Sequence, residues 1–217
     1  MVYILFRINK KGGVKMKKVS VIIPMYNQEK LIIDALESIP KRDDIETIVI
    51  DDKSTDKSIE SVAKYIYSNP NKDIKLLYNS ENKGVGYTVN VGYEFAKGEY
   101  MVLLGSDDYF ITDEFLKCIK ELDGTDLVYF DLRINNGDVF ELNEETKLKY
   151  CGSVKFMRRE FIGETRCPEI RDSEDFEFYK KLMDKKPTEK FTNIVTKHYN
   201  YPRENSLSNI KEKRANE

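Results

Sequence analysis

Tryptophan is absent from the 217 residues, histidine occurs once, at His198, and cysteine three times, at Cys118, Cys151 and Cys167. One histidine and three cysteines without a Cys-x-x-Cys spacing exclude a Cys/His zinc site, and the odd cysteine count argues against a disulfide framework. A reducing cytoplasm is the compartment expected from that usage. Net charge is scarce too: 36 basic residues meet 38 acidic ones, leaving −2. Lys and Arg are interspersed with Asp and Glu apart from short runs such as 15–18, which argues against a nucleic-acid binder with a basic face. No apolar stretch reaches the ~18 residues that a membrane-spanning helix needs. The run Val2-Tyr3-Ile4-Leu5-Phe6 lacks a preceding basic region and a small-residue cleavage site, so it makes a poor secretory signal.

With 40% hydrophobic and 34% charged residues, the chain has the composition of a soluble globular protein rather than a disordered one. Its length suits one large domain or two small ones, on a scale of about 100–200 residues per domain, and no composition shift marks a boundary between two. At this size neither disulfides nor a structural metal is needed for a core. The stretch Lys11-Gly12-Gly13-Val14-Lys15-Met16 is what a purine-rich ribosome-binding site would encode if translated, so Met16 is the expected natural start, the alternative being a real N-terminal strand. That divides the chain into an extension over 1–15, one domain over 16–208, and a charged tail over 209–217 expected to fray.

From Lys18 onward β-branched runs alternate with helical periodicity. Strands are expected at 19–24, 45–50, 74–78 and 100–104, and helices at 28–39, around Ile59 to Ile66, and at 87–96. Ser54 or Asp56 would cap the second of these helices. Alternation of this kind predicts a parallel α/β sheet whose ligands gather at the carboxyl ends of the strands. Acids stand at those ends: Asp51 and Asp52 after the second strand, Asp107 and Asp108 after the fourth. The second half is less regular, with a helix expected at 113–122, strands at 127–133 and 139–141, and helices at 154–161 and 173–183. Carboxylates at the carboxyl edge of a parallel sheet suit a divalent cation and a nucleotide, because Mg²⁺ and Mn²⁺ favour oxygen ligands and leave positions for phosphate oxygens.

Several motifs in order resemble the family 2 glycosyltransferases of the GT-A fold over nearly all of residues 18–208. Val-Ser-Val-Ile-Ile-Pro-Met-Tyr-Asn at 19–27 is similar to that family's first strand and nucleotide loop, and Asp51-Asp52-Lys53-Ser54-Thr55-Asp56 to its Asp-Asp-x-Ser-x-Asp loop. Glu81-Asn82-Lys83-Gly84, Asn90, Gly92 and Ala96-Lys97-Gly98-Glu99-Tyr100 continue the likeness into Gly105-Ser106-Asp107-Asp108, which resembles the metal-binding DXD region. Ser173-Glu174-Asp175 resembles the Glu-Asp motif that supplies the base. The resemblance implies an α/β, Rossmann-like, mainly parallel central sheet with helices on both faces. It also implies an inverting, metal-dependent transfer of one sugar from a nucleotide sugar, a UDP-sugar by preference, to a hydroxyl of a glycan or lipid-linked acceptor. Pro24 and Tyr26 would border the base, and Asp52, or else Asp51, would accept from uracil N–H. Lys83 and Asn90 would line the donor site, and Arg203 would approach the diphosphate. Asp107 would ligate Mn²⁺ or Mg²⁺ with Asp108 as neighbour or co-ligand, and Asp175, beside Glu174, would be the general base.

Gly105 departs from the family pattern, which usually has Asp there, and is read as an altered donor site rather than a dead one. Two other classes stay open: a non-catalytic sugar-nucleotide binder with a degenerate site, and a GT-A-like nucleotidyltransferase, although the loop after the first strand has no glycine. Without Trp, the Gln-x-x-Arg-Trp segment of processive synthases is missing. His198, beside Tyr199 and Tyr201, is read as a packing residue, and the acceptor site is expected mainly from 131–168. Expected partners are the donor and the acceptor, with peripheral membrane contact through the Lys15, Lys17 and Lys18 cluster and self-association both left open.

Overall fold

Val19, Val21, Ile23 and Met25 point into one apolar layer and Ile22 into another, and none of the five is more than 1% exposed. A strand buried on both faces needs helices on both sides of its sheet. The computed structural model, which describes residues 2–7, 16–146, 151–170 and 173–202, has that arrangement. In chain order the elements are β1 (Val2–Arg7), β2 (Val19–Met25), α1 (Ile32–Ser38), β3 (Ile45–Asp51), α2 (Ser58–Ser68), β4 (Ile74–Asn79), α3 (Val85–Phe95) and β5 (Tyr100–Leu103). There follow β6 (Tyr109–Phe110), α4 (Thr112–Lys120), β7 (Leu127–Ile134), β8 (Val139–Phe140), β9 (Lys155–Arg158), α5 (Arg159–Ile162), α6 (Glu174–Met183) and β10 (Glu189–Tyr199).

These strands form one sheet in the order β1-β4-β3-β2-β5-β9-β7-β10-β6, with β8 added to β7. Strands β4, β3, β2 and β5 run parallel. Beyond β5 the sheet turns mixed: β9 is antiparallel to both β5 and β7, and β10 is parallel to β7 and antiparallel to β6. Helices α1, α2 and α4 bury Leu36, Val62, Ile66 and Phe115 on one face; α3, α5 and α6 bury Val89, Ile162, Phe178 and Leu182 on the other. The chain leaves β2 for β3 on one side and later returns to β5 on the other. That makes the carboxyl ends of β2 and β5 the switch point where a crevice opens.

The opposite, amino end of the sheet is locked by a buried polar cluster. Glu46 pairs with Lys75 and accepts hydrogen bonds from Ser20 Oγ and from the Lys97 amide, each at 2.6 Å. Gly98 lies so close that a Cβ there would stand 2.5 Å from the Ser20 nitrogen. No side chain fits that approach.

Three expectations need correction. The segment 154–161 is not a helix: Lys155–Arg158 fills the gap between β5 and β7 as β9, and only one helical turn, α5, follows. The helix expected from 28 begins at Ile32, because the preceding backbone is tied to a neighbouring loop. The eleven-residue strand β10 was not anticipated at all.

Candidate active site

The loops after β2 and β3 are stitched to each other. Asn27, with φ at +53°, accepts from the Thr55 amide at 2.8 Å and donates its own amide to Ser54 Oγ at 2.9 Å. The Gln28 amide donates to Ser58 Oγ at 2.7 Å, and Asp56 accepts from the amides of Glu29 and Ser58 at 3.1 and 2.9 Å. Asp56, one residue before the N-cap Lys57, therefore holds the first helical amide of α2 and pins the neighbouring loop. The result is a rigid rim on which Pro24 is half-buried and Tyr26 keeps 46% of its surface exposed.

Asp51 and Asp52, adjacent in sequence, have different surroundings. Asp52 Oδ1 accepts from Asn79 Nδ2 and the Lys83 amide, both at 2.9 Å, and Oδ2 accepts from the Gly84 amide at 2.7 Å. Gly84, at φ +85°, takes the left-handed conformation that lets its amide face the acid. A carboxylate offers about four acceptor positions, so Asp52 retains one. Asp51 Oδ2 accepts from the Ser54 amide at 2.9 Å, whereas its Oδ1 is buried without a hydrogen-bond partner. Burial raises the Asp51 carboxyl above the usual range, with the charges of Asp52 and Asp56 adding to the effect. The Lys83 ammonium, exposed, lies 3.3 Å from Glu81 and 4.7 Å from the Tyr87 ring centroid.

After β5 the chain makes the turn Gly105-Ser106-Asp107-Asp108, closed by the Asp108 amide on the Gly105 carbonyl at 3.0 Å. A Cβ placed on Gly105 would stand 2.8 Å from Asp108 Oδ2 and 2.9 Å from Asp107 Oδ1, so both carboxylates lean over this glycine. Asp108, expected as neighbour or co-ligand of the metal, is 3% exposed and engaged by Lys197 Nζ at 3.2 Å and the Asn200 amide at 3.0 Å. Each of its two oxygens thus accepts a hydrogen bond from the protein. Among the described residues no three His, Cys, Asp or Glu side chains gather as a protein cage for a cation. The half-buried Asp107 fits a different mode, in which one carboxylate and the ligand's phosphate oxygens share the ion, as Mg²⁺ commonly prefers. His198 packs edge-on against Tyr109, ring centroids 4.6 Å apart, and burial holds its imidazole below the ordinary pKa.

The amino end of α6 closes the other side of the crevice. A Cβ on Gly152 would lie 3.1 Å from Leu103 Cδ1 and 3.9 Å from Asp175 Cβ, which puts Asp175 over the carboxyl end of β5. A Cβ on Gly86 would lie 2.7 Å from the Pro168 carbonyl and 3.5 Å from Glu174 Cβ, which puts Glu174 beside the start of α3. Between them, burial together with the charges of Glu174 and Asp175 pushes the Cys167 thiol up to about 12. Asn90, expected in the donor site, is 9% exposed and clips both backbone groups of Cys167, at 2.8 and 2.9 Å. Its observed contact is therefore with the segment leading to α6. Arg203 lies outside the described residues. The sequence reading missed Lys197 and Ser153, whose pairing joins segments far apart in the chain.

The family model described as glycosyl transferase family 2 matches residues 20–193. The chain belongs to that family. It is 30% identical over 204 residues to the Escherichia coli UDP-Glc:alpha-D-GlcNAc-diphosphoundecaprenol beta-1,3-glucosyltransferase WfaP, covering 85% of this chain and 77% of WfaP. It is 42% identical over 106 residues to the Staphylococcus aureus poly(ribitol-phosphate) beta-N-acetylglucosaminyltransferase TarS, covering 47% of this chain and 18% of TarS. Among solved structures, S. aureus TarS 1–349 in complex with UDP superposes with a TM-score of 0.72 at 25% identity, over 84% of this chain and 60% of that one. The Pyrobaculum calidifontis mannosyltransferase PcManGT, in complex with GDP-Man and Mn²⁺, shares the fold, with a TM-score of 0.70 at 19% identity over 88% and 59% of the two chains. The chain spans 41% of an uncharacterized Haemophilus influenzae glycosyltransferase and 18% of TarS, well under the full length of either. The α/β sheet with helices on both faces is GT-A-like, as the motifs led one to expect.

Proposed function

We propose that this family member is an inverting glycosyltransferase moving one sugar from a uridine diphosphate sugar to a hydroxyl of a glycan or lipid-linked acceptor, with Asp175 as general base. The observation that carries this reading is the seat of Asp175 over Leu103 and Gly152, at the same end of β5 as the turn bearing Asp107. A base and a diphosphate-side carboxylate on opposite walls of one crevice suit in-line displacement at an anomeric carbon between them. Two relatives support the substrate class: the name of WfaP states a UDP-Glc donor and a diphosphoundecaprenol-linked acceptor, and a TarS structure contains UDP.

In this reading Tyr26 offers its exposed ring as a stacking face for the base, beside Pro24, and the remaining acceptor position of Asp52 takes the uracil N–H. Asp51 shapes the loop through Ser54. Lys83 stands at the donor rim, and Asp107 would hold Mn²⁺ or Mg²⁺. The cation, when bound, neutralises charge on the leaving nucleoside diphosphate. Asp175 draws the proton from the acceptor hydroxyl as that oxygen attacks the sugar from the face opposite the diphosphate. One displacement inverts the anomeric centre, so no sugar–enzyme intermediate forms. The acceptor wall comes mainly from the described parts of 131–168, of which Gly152 stands beside Asp175 and Cys167 beside Glu174 and Asp175. No helix among the described residues is long and apolar enough to cross a membrane.

Asp175→Asn tests the assignment. With labelled UDP-glucose or UDP-N-acetylglucosamine and a panel of lipid-linked saccharides, the variant should lose at least ~10²-fold in transfer while binding UDP with Mn²⁺ as the unaltered protein does. Transfer at the unaltered rate contradicts the role of Asp175.

A further inference from the structure

A buried ammonium is costly unless it is paired and hydrogen-bonded. Lys197, near the carboxyl end of β10, is 1% exposed. Its Nζ donates to Asp108 Oδ2 at 3.2 Å and to Ser153 Oγ at 2.8 Å, and it lies 5.2 Å from the Tyr199 ring centroid. Three residues further on, the Asn200 amide donates to Asp108 Oδ1 at 3.0 Å. Both oxygens of Asp108 are thus tied to β10 or to the residue just after it, and Asp107 is its direct neighbour in the turn. The Ser153 contact ties a second turn, and there Gly152 lies against Leu103 and Asp175. One ammonium therefore links the wall that carries Asp107 to the wall that seats Asp175.

We propose that Lys197 is a positioning residue for the transfer site, and this rests on the transferase reading above. Its ammonium fixes the two turns relative to each other and neutralises Asp108, the direct neighbour of Asp107 in the turn that would face the diphosphate and its cation. Gly105 belongs to the same device. The carboxylates of Asp107 and Asp108 already lie within 2.9 Å of where its Cβ would be, so a third acid in this turn would have to displace them. It would also add a negative charge that one ammonium does not balance.

The experiment is calorimetric titration of UDP, with and without Mn²⁺, into the unaltered protein and into Lys197→Met, Lys197→Arg and the double variant Lys197→Met with Asp108→Asn, each checked by thermal unfolding. Metal-free UDP affinity reports the base-binding rim and should be the same in all four. The gain in affinity on adding Mn²⁺ should fall about tenfold in Lys197→Met, the scale on which groups supporting a metal ligand act, and should survive largely in Lys197→Arg. The double variant should recover thermal stability, because no unpaired buried charge remains, without recovering the Mn²⁺-dependent gain, because the tie is still missing. A merely structural lysine predicts otherwise: metal-free and metal-dependent binding fall together in Lys197→Met, and both return in the double variant. That result, or a folded Lys197→Met with the full Mn²⁺-dependent gain, overturns the inference alone. An unaltered protein with no Mn²⁺-dependent gain overturns the transferase reading and this inference with it.

Discussion

Asp51 and Asp108 are both buried carboxylates, and their partners decide what each does. Asp108 has an ammonium and a backbone amide; Asp51 has one amide and a bare oxygen, and its pKa rises on folding because burial penalises its charge. A carboxyl whose folded pKa exceeds its unfolded value, 3.8, favours folding below that value and loses the advantage as pH climbs through the folded pKa. Asp51→Asn keeps the acceptor for Ser54 and removes the charge. Its stability relative to the unaltered protein should therefore improve between about pH 4 and about pH 7, as measured by urea unfolding at both ends; a difference independent of pH would contradict the assignment. At this scale the acids themselves were legible, since each follows an apolar run, and so was a place for Asp56 beside the start of α2, although the N-cap itself is Lys57. The distribution of partners was not. Asp108 meets Lys197 across 89 positions, and Asn90 meets Cys167 across 77, separations over which a single sequence carries no pairing signal.

The elements divide into those whose periodicity speaks clearly and those formed only by their neighbours. Strands β2, β3 and β4 are β-branched or leucine-rich, buried on both faces and bounded by turn residues, so their positions follow from the sequence within a residue or so. Strand β9 carries Val154, Phe156, Met157 and Phe161 nearby, a spacing a helix also satisfies; the free edges of β5 and β7 decide for strand. Strand β10 is polar and mostly half-buried, with Asn193 at φ +54°, and it exists because β7 and β6 offer their edges. The register of β2, β3 and β4 is pinned at its amino end by Ser20, Glu46 and Lys75. Lys75→Met strands the Glu46 carboxylate, which is 1% exposed, and should cost about 3 kcal/mol. Adding Glu46→Gln to that variant should recover most of the loss, because the isolated charge is then gone. Urea unfolding of the single and double variants measures both, and equal losses would show that Glu46 finds another partner.

Across the whole molecule, the parallel half supplies the rim around Tyr26 and Asp52, and β5 carries the Asp107 turn to the boundary between the halves. The mixed half supplies Lys197, Ser153 and Asp175, which face that turn from the other side. This division explains why the donor side was read from the sequence motif by motif and the opposite wall only through Glu174 and Asp175. The first half is built from consecutive strand–helix units, whereas the second is assembled from strands that pair out of order. The most direct test of the proposed activity is the thermal unfolding of the unaltered protein with UDP, GDP and CDP, each with and without Mn²⁺, since a ligand that binds only the folded chain raises its midpoint. A nucleotide-sugar transferase with a one-carboxylate cation site predicts the largest rise with UDP and a further rise when Mn²⁺ is added. No rise with any nucleotide, or an equal rise with all three that ignores Mn²⁺, would contradict it.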